Sequence, residues 1–145
     1  PLAKDAGTNV DMLVVDFDAS TDECRTFTFL VPPDVTAGGT VTFTVTGYSA
    51  AATTGDSIVD IRHNSGVATG VDPDQALTTV ADGATTTAGT AGQYTLYTWT
   101  ETQTNLAWAA SDLVVGVVCR DANAAGDTLA GDLRTVTFGI RIPRS

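Results

Sequence analysis

The chain has 145 residues, 43% hydrophobic and 17% charged, with a formal net charge of −10. That length suits one domain with a core of its own, and the composition excludes disorder driven by low hydrophobicity. No run of 18 apolar residues exists to cross a membrane as a helix, and one lysine (Lys4) with six scattered arginines makes no basic stripe for nucleic acid. Pro1 stands where initiator-Met removal would leave a small residue, so a natural cytosolic start is expected, a leader already cleaved off being the alternative.

Residues 1–11 (PLAKDAGTNVD) are polar and contain glycine. They read as an N-terminal arm, leaving 12–145 as a single β-sandwich domain. From there the pattern has period two, which sends successive strand side chains to opposite faces. Leu13, Val15 and Phe17 form a first inward set, and Phe27, Phe29 and Val31 a second. Residues 40–46 (TVTFTVT) put Val41, Phe43 and Val45 on one face and four threonines on the other. Val59, Ile61 and His63 share a face, as do Val136, Phe138, Ile140 and Ile142. Residues 113–119 (LVVGVVC) are apolar on both faces, as a central covered strand would be. Residues 93–101 (QYTLYTWTE) carry Tyr94 and Leu96 on one face and Tyr97 and Trp99 on the other. Either a bulge near Leu96 turns both sets inward, or one face meets something outside the core.

Turn signals separate these runs, among them Pro32-Pro33-Asp34, Gly38-Gly39, Thr54-Gly55-Asp56, Asp72-Pro73-Asp74 and Gly83. Helical signal is confined to short turns within 74–81 and 105–111. About eight strands are expected, at 12–17, 25–31, 39–47, 57–63, 76–80, 93–101, 113–119 and 135–142. The fold class is therefore all-β, a two-sheet antiparallel sandwich of jelly-roll type.

Little in the sequence points to chemistry. His63 is the only histidine, and Asp60 would face away from it in a strand, so a core or edge histidine is expected rather than a triad base. His63, Cys24 and Cys119 lack zinc-ligand spacing. The cysteines are expected as two free thiols with Cys119 buried, a Cys24–Cys119 bridge being the alternative. The carboxylates of DFDASTDE (Asp16, Asp18, Asp22, Glu23) and the pair Asp72 and Asp74 do not follow a calcium-loop spacing and read as solvated turns. Glu23 and Glu101 sit in no apolar context that would raise a catalytic acid. Gly89-Thr90-Ala91-Gly92 lacks the lysine and strand-to-helix setting of a phosphate loop. No enzyme, metal or cofactor is expected. The aromatics Tyr48, Tyr94, Tyr97, Trp99 and Trp108 could form a sugar platform, a subunit interface or plain core. Tyr97, Trp99 and Trp108 are the interface candidates.

After the apolar strand comes RDANAAGDTLAGD, residues 120–132. Arg120 is expected to fork onto a carboxylate of this loop, with Asp121, Asp127 and Asp132 available and Leu129 as a hydrophobic peg. This stretch, with the passage from Phe29-Leu30-Val31-Pro32-Pro33-Asp34 to Gly38-Gly39-Thr40 and the step Thr54-Gly55-Asp56-Ser57-Ile58-Val59, resembles small β-sandwich modules of tailed-bacteriophage virion proteins. The resemblance covers roughly 25–142. It departs at Tyr48 and Asp60, where that family often has tryptophan. It implies a structural role without catalytic residues. A chain that is nearly all module, without a shaft, is expected to be a capsid decoration (cement) protein. It would bind the major capsid protein on the capsid exterior as a homotrimer, after synthesis in the host cytoplasm. The alternative is the receptor-binding head of a tail or capsid fibre that attaches to host glycan.

Overall fold

The computed structural model describes residues 2–6, 11–51, 54–86 and 90–145. Nine strands are found among them: β1 (Leu2–Ala6), β2 (Asp11–Phe17), β3 (Glu23–Leu30), β4 (Thr40–Tyr48), β5 (Asp56–His63), β6 (Thr78–Thr86), β7 (Thr95–Thr102), β8 (Leu113–Arg120) and β9 (Leu133–Arg141). One helical turn, α1 (Gln103–Leu106), starts at Thr102, whose hydroxyl accepts from the Asn105 amide, and ends at Ala107 in the left-handed region. The strands form a five-stranded sheet, β1-β2-β9-β4-β7, and a four-stranded sheet, β3-β8-β5-β6. The pairings β2·β9, β3·β8, β4·β7 and β5·β6 are antiparallel and nested. A long hairpin rolled up so that its two arms stay paired gives this order, which is the jelly-roll topology.

The alternating apolar residues meet between the sheets. Phe17, Val41, Phe43, Val45, Val59, Ile61, Tyr97, Trp108, Val114, Val118, Leu129 and Leu133 belong to one buried cluster. Each fully buried aliphatic or Phe side chain contributes about 1.5–3 kcal/mol relative to exposure. The threonines of β4 lie on the outer side of the larger sheet. β8 is buried on its core face and half-buried on the other. Val114 and Val118 face the core, while Val115 and Val117 line a shallow depression with Pro73, Asp74, Gln75 and Leu77.

Four expectations need correction. Leu2–Ala6 is not an arm but an edge strand paired with β2, Leu2 opposite Val15 and Ala6 opposite Asp11; its short polar sequence suits an edge and hides the strand pattern. Residues 7–10 of the expected arm lie outside the described residues. Gly83 is no turn; it stands within β6 opposite Val59. Leu13 is 65% exposed, because β2 pairs with β9 only over Val15–Phe17 and then departs. Finally, Cys24 and Cys119 are joined in a disulfide. They stand opposite each other on β3 and β8, a register that only the folded chain sets. The bridge ties the edge strand β3 to the sheet across 95 residues of chain. Closing a loop of that order in the unfolded chain stabilises the fold by about 2–4 kcal/mol.

Candidate functional site

The loop after β8 is organised by Arg120, which is fully buried. Its Nε donates to Asp127 Oδ2 at 3.0 Å and its Nη2 to Asp127 Oδ1 at 2.8 Å, a two-pronged fork. Nη2 also donates to Leu129 O at 2.7 Å, and Nη1 donates to Gly131 O at 2.8 Å and Phe17 O at 3.5 Å. All five guanidinium N–H groups thus have acceptors. Asp127 Oδ2 accepts in addition from the Ile58 amide at 3.0 Å. Leu129 is buried in the core beneath this loop.

The start of β5 locks onto the same loop. The amides of Thr128 and Leu129 donate to Asp56 O at 2.8 and 2.9 Å, and the Asp56 amide donates to Thr128 Oγ1 at 2.9 Å. Gly55 (φ +133°) lies so close that an added Cβ would fall 2.7 Å from Thr128 O. Two sequence stretches far apart in the chain, Thr54-Gly55-Asp56 and Asp127-Thr128-Leu129, therefore form one lock. Ser57 Oγ and the Tyr97 hydroxyl meet at 2.5 Å, joining the two sheets. Burial pushes the Tyr97 phenol up, with the Ser57 bond opposing the shift.

The other acids of the loop do not reach Arg120. Asp132 accepts from the Ala19 amide at 3.2 Å. Asp121 stands beside Asp22, which accepts from the Asn123 amide at 3.0 Å and is held below the usual carboxylate range by it. Partial desolvation, then the charge of Asp22, push the Asp121 carboxyl up. Among the described residues no three His, Cys, Asp or Glu side chains are placed to hold a metal ion, and no helix is long and apolar enough to cross a membrane.

The aromatics separate into three environments. Tyr97 is fully buried and Trp108 nearly so, which corrects their assignment to an interface: both fill the space between the sheets. Trp108 comes in from the turn after α1 and sets its ring edge-on to Phe29, His63 and Phe43, with centroids at 5.2, 5.0 and 6.0 Å. Trp99 is half-buried and stacks on Tyr97 at 6.1 Å. Tyr94 is 70% exposed and Leu96 54%. β7 runs through Leu96 without a bulge; the register break lies between Thr46 and Gly47 in the β4·β9 ladder. Of the two readings of this strand, the outward-facing one holds for Tyr94 and Leu96. With Met12, Thr46, Tyr48, Gly92 and Val136, Tyr94 lines a shallow cup of about 280 Å³ on the outer side of the larger sheet.

His63 is buried. Its Nδ1 lies 2.5 Å from Asn64 O, which also accepts from Trp108 Nε1 at 3.1 Å. Asp60 lies on the other face of β5, paired with Arg62. Desolvation holds the His63 imidazole below its ordinary value, with the Asn64 contact opposing. The unfolded chain then takes up a proton near pH 6.5 that the folded chain refuses. Stability from this site is full above about pH 6.5 and is lost as pH falls from there through the depressed folded value. We expect the melting temperature of the wild type to drop between pH 6.5 and 5, and His63→Gln to flatten that window. Thermal melts at half-unit pH steps check this; an unchanged pH profile in the variant would contradict it.

No family model matches the chain, and no curated protein matches it. Among solved structures, the chain is similar to the isomalto-dextranase of Arthrobacter globiformis T6 complexed with panose. The TM-score is 0.55 at 17% identity over 90% of this chain, which spans only 18% of that chain. A second similarity is to the C-terminal domain of EclA, a sugar-binding protein, with TM-score 0.43 and 14% identity over 94% of this chain and 80% of that one. At these identities the first likeness concerns the fold, and it agrees with the strand order: the chain is an all-β sandwich of two antiparallel sheets.

Proposed function

We propose that this chain is a non-catalytic attachment module of a virion, the head type rather than the capsid clamp, and that it holds host-surface glycan in the Tyr94 cup. The observation that carries the reading is the exposure of Tyr94 in the lining of a cup that also includes Tyr48 and Thr46. An aromatic face matches the CH-rich side of a pyranose ring. A threonine hydroxyl beside it can hydrogen-bond the equatorial oxygens. The cup is on the scale of one sugar ring, at the small end of ligand sites. The likeness in fold to a carbohydrate-active protein agrees with this reading, and the sequence resemblance to phage virion modules supplies the setting. The disulfide suits an extracellular or virion surface.

Capsid decoration as a homotrimer rests on the resemblance. Two of its three aromatic anchors, Tyr97 and Trp108, are inside the core, which leaves Trp99, half-buried on the edge strand β7. A glycan array probed with labelled wild type and Tyr94→Ala tests the choice. Saturable binding that weakens tenfold or more in Tyr94→Ala and survives in Tyr94→Phe is expected. If the wild type binds no glycan, while Trp99→Ala alters its oligomeric state or capsid retention, the decoration reading replaces this one.

A further inference from the structure

Next to the Tyr94 cup, with which it shares Val136, lies a second opening where both sheets leave a strand edge free among the described residues. β3 ends the smaller sheet and pairs only with β8. β9 is paired with β4 along its length but with β2 only over Leu133–Thr135, so no described strand lies against the other side of 136–141. Between these two edges runs an apolar groove. One part, about 280 Å³, is lined by Phe27, Thr28, Phe29, Phe138, Ile140 and Ile142. It continues into a deeper part of about 130 Å³, where Val15, Phe17 and Val45 form the walls and Arg25 stands at the mouth. The floor is fixed. Phe27 packs on Phe138 at 4.6 Å and lies across Gly116, where a Cβ would fall 2.3 Å from its ring.

Arg25 sits on the inward-facing side of β3, in line with Phe27 and Phe29. Its Nη1 donates to Cys24 O at 2.7 Å, its guanidinium lies over the Phe17 ring at 5.8 Å, and its side chain, 38% exposed, forms an ion pair with Glu23 at 3.9 Å, too long for a direct hydrogen bond. A guanidinium carries five donors, so donors remain for a further acceptor. In a chain of net charge −10, a guanidinium with donors to spare in the lining of an apolar groove is a specific feature.

We propose that this groove binds an extended polypeptide segment of a partner protein by strand addition, with a carboxylate, such as the segment's C-terminus, on Arg25. The occupant's chemistry follows from the site. The open edge of β9 offers main-chain donors and acceptors, which an extended peptide satisfies and an acyl chain does not. The apolar gap accepts every second side chain. The stretch opposite residues 25–29 holds about five extended residues at roughly 3.3 Å each. A segment antiparallel to β9 follows the line of β2, which runs antiparallel to β9 as far as Val15, and brings its C-terminus to the Arg25 end.

The test uses the full chain and a fluorescein-labelled peptide, Thr-Val-Thr-Val-Thr-Val, with a free C-terminal carboxylate. Its amidated form, a form N-methylated at alternate residues, and sodium laurate are compared with it. The free acid should bind saturably and protect from hydrogen exchange those amides of residues 136–141 that point away from β4, the alternate ones being already bonded in the β4·β9 ladder. Amidation should weaken binding about tenfold, the loss of one charged hydrogen-bonded contact. Arg25→Gln should bring the free acid to the level of the amide and leave the amide unchanged. N-methylation should abolish binding. Equal binding of acid and amide would make Arg25 only a guard against unwanted edge pairing and overturn the proposal. So would binding of laurate without the peptide, or binding of neither.

Discussion

Replacing Asp127 with Ala should destabilise the fold by about 3–5 kcal/mol, because it leaves a buried guanidinium without its counter-charge. Arg120 has no exposed surface, and the Asp127 side chain is 1% exposed, so water cannot substitute. Arg120→Met should cost a similar amount. It strands Asp127 and removes the donors to Leu129 O, Gly131 O and Phe17 O. Buried ion pairs can often be exchanged for apolar side chains at little cost. Here that route is closed: a double Arg120→Met/Asp127→Leu variant would still orphan those carbonyls and the Ile58 amide, at about 1–3 kcal/mol each. Arg120→Lys keeps the charge but cannot make the fork, and it should remain clearly destabilised. Urea denaturation of the single and double variants checks this. Midpoints within 0.5 kcal/mol of the wild type would show that the loop stands without the pair.

Trp108→Ala should cost about 3–5 kcal/mol, the range for deleting a buried aromatic ring. Its ring fills the space among Phe29, Phe43 and His63, and its indole N–H is a donor to Asn64 O. Trp108→Phe should retain most of the packing and lose about 1 kcal/mol for the missing hydrogen bond. For a domain of this size the Ala variant should melt roughly 10 °C or more below the wild type. Differential scanning calorimetry with analytical ultracentrifugation separates the two roles considered for Trp108. A core residue lowers the melting temperature of the monomer. An interface residue would change the association state at constant monomer stability, which would contradict the structure.

The contrast between these two residues shows what local sequence can carry. Most of the strands are legible because threonine and apolar residues alternate, as a half-buried strand demands, and β8 because it is apolar on both faces; β6 was legible only in part, the expected 76–80 meeting Thr78–Thr86 at its start. The Arg120 fork is legible because an arginine directly after an apolar strand needs a nearby acid, and the loop supplies three. Choosing Asp127 among them depends on the turn that aims it, which spacing does not reveal. The fate of the aromatics was not legible. Tyr97 and Trp99 differ from Tyr94 and Leu96 only in parity, and parity does not say which face of an edge strand is the core. Trp108 follows an irregular turn with no parity at all. The exposure of Leu13 follows from where β2 parts from β9, and the disulfide from the register of β3 on β8. Both are long-range facts with no local trace. β1 was hidden for the opposite reason: edge strands are kept short and polar to avoid aggregation.

The polar lock around Arg120 and the aromatic packing around Trp108 make the sandwich a rigid frame. On such a frame, a surface site keeps its shape without a ligand, which lowers the ordering cost of binding. The Tyr94 cup and the β3–β9 groove adjoin at Val136 and otherwise have separate linings, so their ligands can be told apart by Tyr48 and Tyr94 against Phe27, Phe29 and Ile140.

The central claim is that function resides in the Tyr94 cup on the outer face of the larger sheet. The direct measurement is a two-dimensional amide NMR titration of the isotope-labelled chain with the best glycan from the array. Shifts centred on Met12, Thr46, Tyr48, Gly92 and Tyr94 are predicted. Shifts centred on Phe27, Phe138 and Ile140, or none at millimolar glycan, would contradict the account.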